Sequence, residues 1–480
     1  MTTFKTKNNS NKKMGNTPAH FDFNMSLSYF AVSFSGSDKL RLILAPGEIV
    51  EITEKQISHL YRIQRLNKSD GLVELKLEGS PVEDLLKAKV IDFKLLLAVL
   101  IQSYFKSGWH IKSSICLDTY GYNGNTIIFE KSEPIPTCVS CVSFDCVDKV
   151  NVLGPEEIVV KVKEILNRLC PEGVEKESKN SFQHGFKHNG CSWLTFRIKE
   201  EYSMVELVGE IFKGLHEIGW VFCGSIQMHV TEISNLYFRY EQRPTPMHEM
   251  FALHLSKSDK ISILNPPRLI IELIREMIES VWSNGMQSQT ISSNVYEFRL
   301  KGAPWRDKTE SLVESRRLLN KIIQNLKKLD YKIYAICDLS NKESKMSTFY
   351  FSKINEPNEA SSKIVSLNLN ESDKLRIIDD LDGFSDILRE SISQIWPKGL
   401  KLESSCSGAI QFKLNGSPFS PFSSTNDTIN FSMLILVLFE KVKKGKRLKF
   451  IGSADLCSDY IFVENLPYGY NIHTLMFESD

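Results

Sequence analysis

The chain has 480 residues, 42% of them hydrophobic and 24% charged. That balance excludes disorder over most of its length and allows several cores of about 100–200 residues each. Lysine plus arginine number 59 against 58 for aspartate plus glutamate, so no global field draws the chain to a polyanion or to an acidic membrane.

Residues 1–27 are polar, contain lysine and have no apolar stretch, so they read as a disordered tail without a secretory signal. Ten scattered cysteines, several within apolar runs, read as reduced thiols of a cytoplasmic or nuclear protein. The longest apolar runs, at 95–101 and 433–439, have seven residues each, far short of the roughly 20 that span a bilayer. They read as buried helices, and no membrane span is expected.

Self-similarity governs the rest of the reading. Ser37–Leu40 (S-D-K-L) returns as V-D-K-V at 147–150, S-D-K-I at 258–261 and S-D-K-L at 372–375, with the Asp-Lys pairs 110, 111 and 114 residues apart. An apolar-periodic stretch ends 22 or 23 residues after each Asp, at Tyr61, Cys170, Trp282 and Trp396. Alternating segments follow at 74–81, 195–199, 297–305 and 411–419. After a second helical pattern come Trp109, Trp220, Tyr331 and Leu448, each with Leu117, Met228, Leu339 or Leu456 eight residues later. The copies close on Phe129, Phe238, Phe351 and Phe477.

The third copy shows the physics of one unit most clearly. Residues 251–256 alternate as a half-buried strand does, and the Ser-Asp after them is turn chemistry. Pro266 and Pro267 suit the first turn of a helix in which Leu269, Leu273, Met277 and Val281 recur at helical spacing, and Gly285 suits a left-handed cap. Strands over 286–291 and 295–300 join through a Ser-Ser-Asn turn. A second helix begins near Ser311, and two last strands cover 332–337 and 347–352.

The predicted fold class is therefore α+β: four tandem repeats of a two-layer sandwich, β-α-β-β-α-β-β, ferredoxin-like with an added strand and a mostly antiparallel sheet. The predicted units are 28–131, 139–241, 247–354 and 362–480. Their proline-rich or small-residue junctions are expected to permit relative motion. About nine extra residues between Leu456 and Phe477 are expected in a lengthened hairpin loop of the fourth unit.

Candidate sites are few. Trp305 and Phe419, in the Gly-x-Pro-aromatic loops of the third and fourth copies, are either partner anchors or plugs over a helix start. The run Lys441–Arg447 places Lys443, Lys444, Lys446 and Arg447 together, which either touches phosphates or marks a charged helix end. The recurring Asp-Lys pair reads as turn chemistry more readily than as acid–base machinery. Cys138, Cys141, His184, His188 and Cys191 are zinc-ligand types, but more than 40 residues separate the Cys pair from the His pair, unlike a zinc finger. No metal, cofactor or catalytic residue is expected, since no phosphate loop, nucleophile elbow or zinc-protease helix is present. The leading reading is a non-catalytic interaction or scaffold protein that binds protein partners. The alternatives are a nucleic-acid-binding protein using the basic segment and an enzyme with a pocket between units.

Overall fold

The computed structural model describes residues 27–81, 90–115, 117, 126–145, 148–169, 173–188, 198–227, 233–292, 294–306, 310–339, 346–353, 362–420, 423–457, 460–463, 466–469 and 473–479. Residues 1–26 of the predicted tail, Cys116, Cys146, Cys170, Cys191 and Met228 lie outside these residues.

Each unit runs β-β-α-β-β-α-β-β. Unit 1 comprises β1 (Tyr29–Ser35), β2 (Lys39–Ile43), α1 (Gly47–Ser58), β3 (Ile63–Ser69), β4 (Leu72–Leu77), α2 (Val90–Lys106), β5 (Trp109–Ile115) and β6 (Thr126–Lys131). Unit 2 comprises β7 (Val139–Asp145), β8 (Lys149–Leu153), α3 (Glu156–Leu169), β9 (Val174–Lys179), β10 (His184–His188), α4 (Ile198–Glu217), β11 (Trp220–Ile226) and β12 (Asn235–Tyr240). Unit 3 comprises β13 (Met250–Ser256), β14 (Lys260–Leu264), α5 (Arg268–Val281), β15 (Met286–Ser292), β16 (Val295–Leu300), α6 (Glu310–Lys328), β17 (Tyr331–Cys337) and β18 (Thr348–Lys353). Unit 4 comprises β19 (Ile364–Asn370), β20 (Lys374–Ile378), α7 (Phe384–Ile395), β21 (Leu400–Cys406), β22 (Ala409–Leu414), α8 (Thr425–Gly445), β23 (Leu448–Asp455), the hairpin β24 (Tyr460–Val463) and β25 (Leu466–Gly469), and β26 (His473–Ser479).

The chain is thus four tandem α+β repeats, each built on a six-stranded antiparallel sheet. In unit 1 the strand order is β3-β4-β2-β1-β6-β5, and the other three sheets repeat it. One strand per unit exceeds the sequence reading: β14 and its equivalents, which follow the Asp-Lys turn. The run K-I-S-I-L is only five residues long and stops at the two prolines, so it merges with the helix approach when read alone. In space it is the second arm of a tight hairpin, with Ser256 opposite Lys260 and Lys257 at φ 54° in the turn. Unit 2 departs further. Its alternating strand is His184–His188, whereas Ile198 and Lys199, read as part of a strand, open α4; residues 195–197 lie outside the described ones.

The landmarks shared between copies are core positions. Trp109, Trp220, Tyr331 and Leu448 open the inner edge strands and are at most 5% exposed, and Phe129, Phe238, Phe351 and Phe477 are fully buried in the last strands. Trp282 and Trp396 close α5 and α7 in the same way: each indole donates at 3.0 Å to a carbonyl, of Lys301 and Asn415. The chain then leaves through Gly285 and Gly399 at φ 73° and 70°, conformations that a Cβ disfavours.

The central strands are not half-buried. Every residue of β13 is buried, although a half-buried strand was expected there. The cause lies in how the units meet. One face of each sheet packs on the unit's own two helices, and the other receives the second helix of the preceding unit: α2 on β7, α4 on β13, α6 on β19. Helix α8 completes the series by packing on β1 of the first unit. A helix held between two sheets has no solvent face, which is why α2 and α8 carry the apolar runs LLLAVLI and MLILVLF.

The four units therefore form a closed ring. The inner edge strands β5, β11, β17 and β23 each touch two neighbours, and β23 returns to β5. Ser113 and Ser453 share a hydrogen bond at 2.8 Å across this closure although 340 residues separate them. Each inner strand carries a bulge at the same place, with small residues Ser113, Gly224, Ala335 and Gly452 resuming the register. A Cβ at Gly224 would stand 3.0 Å from Ile111, and one at Gly452 only 2.6 Å from Ile336, so the close approach of strands favours a small residue there. Apolar clusters cross every junction, joining units 1 and 2, 2 and 3, 3 and 4, and 4 and 1. The expectation of loosely linked units gives way accordingly, because moving one unit would expose core surface on both sides.

Candidate interaction surfaces

The aromatic loop residues lie inside. Trp305 is 1% exposed, and its indole donates to the Lys260 carbonyl at 3.0 Å, while its backbone N–H reaches Ser258. Phe419 is 5% exposed, meets Phe431 edge-on, and sends its own N–H to Ser372. Both loops thus fold back onto the Asp-Lys hairpin turn, entering through Gly302 and Gly416 at φ 86° and 83°. As exposed partner anchors they are corrected: a ring that closes the end of its own core offers nothing to a partner.

The Asp-Lys repeat acquires a structural account at the same place. Asp38, Asp148, Asp259 and Asp373 each accept, through the main-chain carbonyl, an N–H from the end of the neighbouring strand: Leu77, His188, Leu300 and Leu414. Their carboxylates face Lys76, Lys187, Arg299 and Lys413 at 3.5–4.0 Å. The Asp of each pair fixes the hairpin turn to the neighbouring strand in all four copies.

One lysine of the basic segment serves the ring closure, and two more pair within unit 4. Lys443 lies 3.0 Å from Glu130 of unit 1 and 5.4 Å above the Tyr29 ring. Burial opposes ionisation of Glu130, but the charge of Lys112 and hydrogen bonds from Lys443, Tyr29 and Lys112 together hold its carboxyl below the usual range. Lys444 pairs with Glu440 at 3.3 Å and Lys441 with Glu390 at 2.6 Å. Lys446 and Arg447 are exposed, with Lys446 in the left-handed cap of α8. The segment ends a helix and closes a ring, and its phosphate-binding reading loses most of its charge to these pairs.

Cys191 lies outside the described residues, and the other four zinc-ligand types form no cluster of three. Cys138 is exposed just before β7, and Cys141 is buried in the core between units 1 and 2, where burial pushes its thiol up to about 12. Such a thiol is inert. His184 and His188 sit on β10. Among the described residues no group of three or more His, Cys, Asp or Glu side chains could hold a metal ion.

The outer edge strands β3, β9, β15 and β21 are each paired on one side only. An unpaired edge is a template for another strand, and charge is the usual protection. Arg65 and Lys68 supply it on β3, Lys176, Glu177 and Lys179 on β9, and Lys401 and Glu403 on β21. Strand β15, M-Q-S-Q-T-I-S, has none. Its Ile291 is 61% exposed, and Leu269 in the first turn of the adjacent α5 is 57% exposed. Arg275 of α5 donates to Gln289 at 3.1 Å, tying helix to strand. Sequence reading passed over this edge, although the absence of charge over 286–292 was the available signal.

A single domain-family model matches the chain four times, over residues 28–130, 139–239, 249–352 and 363–446. No curated protein and no solved structure matches it.

Proposed function

Because the chain belongs to this domain family and carries its unit four times in tandem, we propose that it is a non-catalytic scaffold whose closed ring displays diverged edges to protein partners. The observation that carries the reading is the division of labour within each unit. Inner strands and second helices are consumed by the ring, whereas outer strands remain one-sided. The duplicated core keeps the four sheets in fixed positions, and the edges differ in charge, so each can select a different extended segment by strand addition. The uncharged β15, with Ile291 exposed on it, suits a segment with alternating apolar residues. Free thiols at the six described cysteines fit a reducing compartment, cytoplasm or nucleus.

The test is selection of a displayed library of extended ten-residue peptides on the whole protein. Peptides with alternating apolar residues should be enriched, and Ile291→Lys should weaken them at least tenfold, because a charge on the edge opposes pairing. Enrichment that Ile291→Lys leaves unchanged, or no enrichment, contradicts the reading.

A further inference from the structure

The open edge of unit 3 is short, and both its ends are fixed. The register of β15 against β16 shifts between Met286 and Ser288, which leaves Gln287 as the extra residue of a bulge, and Ser292 opposite Val295 closes the hairpin. Leu300 of β16 donates its N–H to the Asp259 carbonyl on the β14 side. Successive residues of a strand bond to opposite sides, so Arg299, Glu297 and Val295 bond towards β15. Their partners there are Ser288, Thr290 and Ser292. Gln289 and Ile291 therefore direct their N–H and carbonyl groups away from the sheet, where no strand follows.

Two outward-facing residues placed symmetrically about Thr290 make the run Ser288–Ser292 complementary to itself. Laid antiparallel on its own copy with Thr290 opposite Thr290, it sets Gln289 opposite Ile291 in both directions and forms four main-chain hydrogen bonds. Thr290 meets its own copy, a favourable cross-strand pair, and Ser288 meets Ser292. Ile291, 61% exposed, becomes a diagonal neighbour of the second Ile291 at about 7–8 Å between backbones, so each covers the other. Arg275 holds the Gln289 side chain on α5.

The other outer edges have charges where this match needs none. Strands β3 and β21 carry the bulge and the closing pair at the same places. In the same register Lys68 on β3 and Glu403 on β21 would each lie diagonal to its own copy, and neighbouring like charges oppose pairing. On β9, Glu175, Lys176, Glu177 and Lys179 leave no uncharged run.

We propose that β15 pairs with β15 of a second copy of this chain, joining two rings through one continuous antiparallel sheet about a two-fold axis at Thr290. Such a contact is isologous and closes at two copies. The dimer rests on the reading of β15 as an open edge and names one occupant for it.

The whole protein is followed by sedimentation velocity between about 1 and 300 µM, where a contact of one short strand pair should give a dissociation constant on the order of 10–100 µM. Ile291→Lys sets two ammonium groups beside each other at an exposed position, so the dimer should weaken at least tenfold while the thermal melt stays unaltered. Cross-linking under mild oxidation, with wild-type protein treated in parallel, reads the register. Thr290→Cys stands opposite its own copy with Cα atoms about 4.5 Å apart, within disulfide reach. It should link two chains at least tenfold faster than Ser288→Cys, whose own copy lies four residues away along the paired strand. A wild type that stays monomeric, a dimer that Ile291→Lys leaves intact, or equal cross-linking of the two cysteine variants overturns the proposal. Enrichment of peptides by a protein that stays monomeric removes the dimer and keeps the edge reading, whereas a dimer without peptide enrichment does the reverse.

Discussion

Recurring residues were the most legible part of this chain, since each marks a place where one geometry is demanded four times. Trp282 and Trp396 were visible as landmarks because a large side chain at a helix end must bury itself, and their indoles reach equivalent carbonyls. For Trp305 and Phe419 the gain from burying an aromatic ring favoured the plug, but the surface that they close was not legible. Anchor and plug have the same local sequence, and only the fold-back onto the Asp-Lys turn separates them. A second residue-scale feature is His473 in β26, whose imidazole burial holds down to a pKa of about 4 from the ordinary 6.5. The unfolded chain takes up this proton near 6.5 and the folded chain only near 4. Stability is therefore complete above the upper value and falls as pH drops through the window, by up to about 3 kcal/mol. Burial also lowers the pKa of His188, which acts in the same direction. Urea unfolding at pH 7.5 and at pH 5 should show a loss in the wild type that His473→Gln reduces. An equal loss in both proteins would assign the acid sensitivity elsewhere.

At the scale of elements, helices were read nearly to their ends and one strand per unit was missed. Arg268–Val281 has strong 3.6-residue periodicity, whereas Lys260–Leu264 offers five residues between a turn and two prolines. The apolar runs in α2 and α8 signalled burial correctly, but a sequence cannot say that the second covering sheet comes from the next unit. The polar residues on these helices make sense only in that light. Lys94, 2% exposed on α2, crosses to Asp145 of β7 at 2.6 Å. Tyr202 on α4 reaches Ser262 and Glu297 of unit 3, and Arg317 on α6 meets Asp379 of unit 4. Glu440 on α8 accepts the backbone N–H of Ser28 in unit 1. Each junction thus has different chemistry on a shared frame, so a helix placed on the wrong sheet would bury an unmatched group. Asp145→Ala strands a buried ammonium and should cost about 3–5 kcal/mol in denaturant unfolding, whereas adding Lys94→Met to it should restore most of the loss. If the double variant is no more stable than the single one, the pair does not set the junction.

For the whole molecule, the sequence carried the number of copies but not their arrangement. Proline-rich junctions look like flexible linkers until the faces they connect are known to be apolar. The ring needs unit 4 to recognise unit 1, and the residues that do so, Glu440, Lys443 and Ser453, are far from Ser28, Glu130 and Ser113 in the chain. Closure also explains why the central strands are buried on both faces, why the run 433–439 of α8 is apolar all round, and why small residues recur on the inner strands. Paired cysteines at the closure, Ser113→Cys with Ser453→Cys, test this directly. Mild oxidation followed by non-reducing electrophoresis and peptide mapping, with wild-type protein treated in parallel, should reveal an intramolecular disulfide spanning 340 residues in most molecules, because the two hydroxyls it replaces are 2.8 Å apart. If the two cysteines stay reduced or pair only between molecules, the units do not close into a ring.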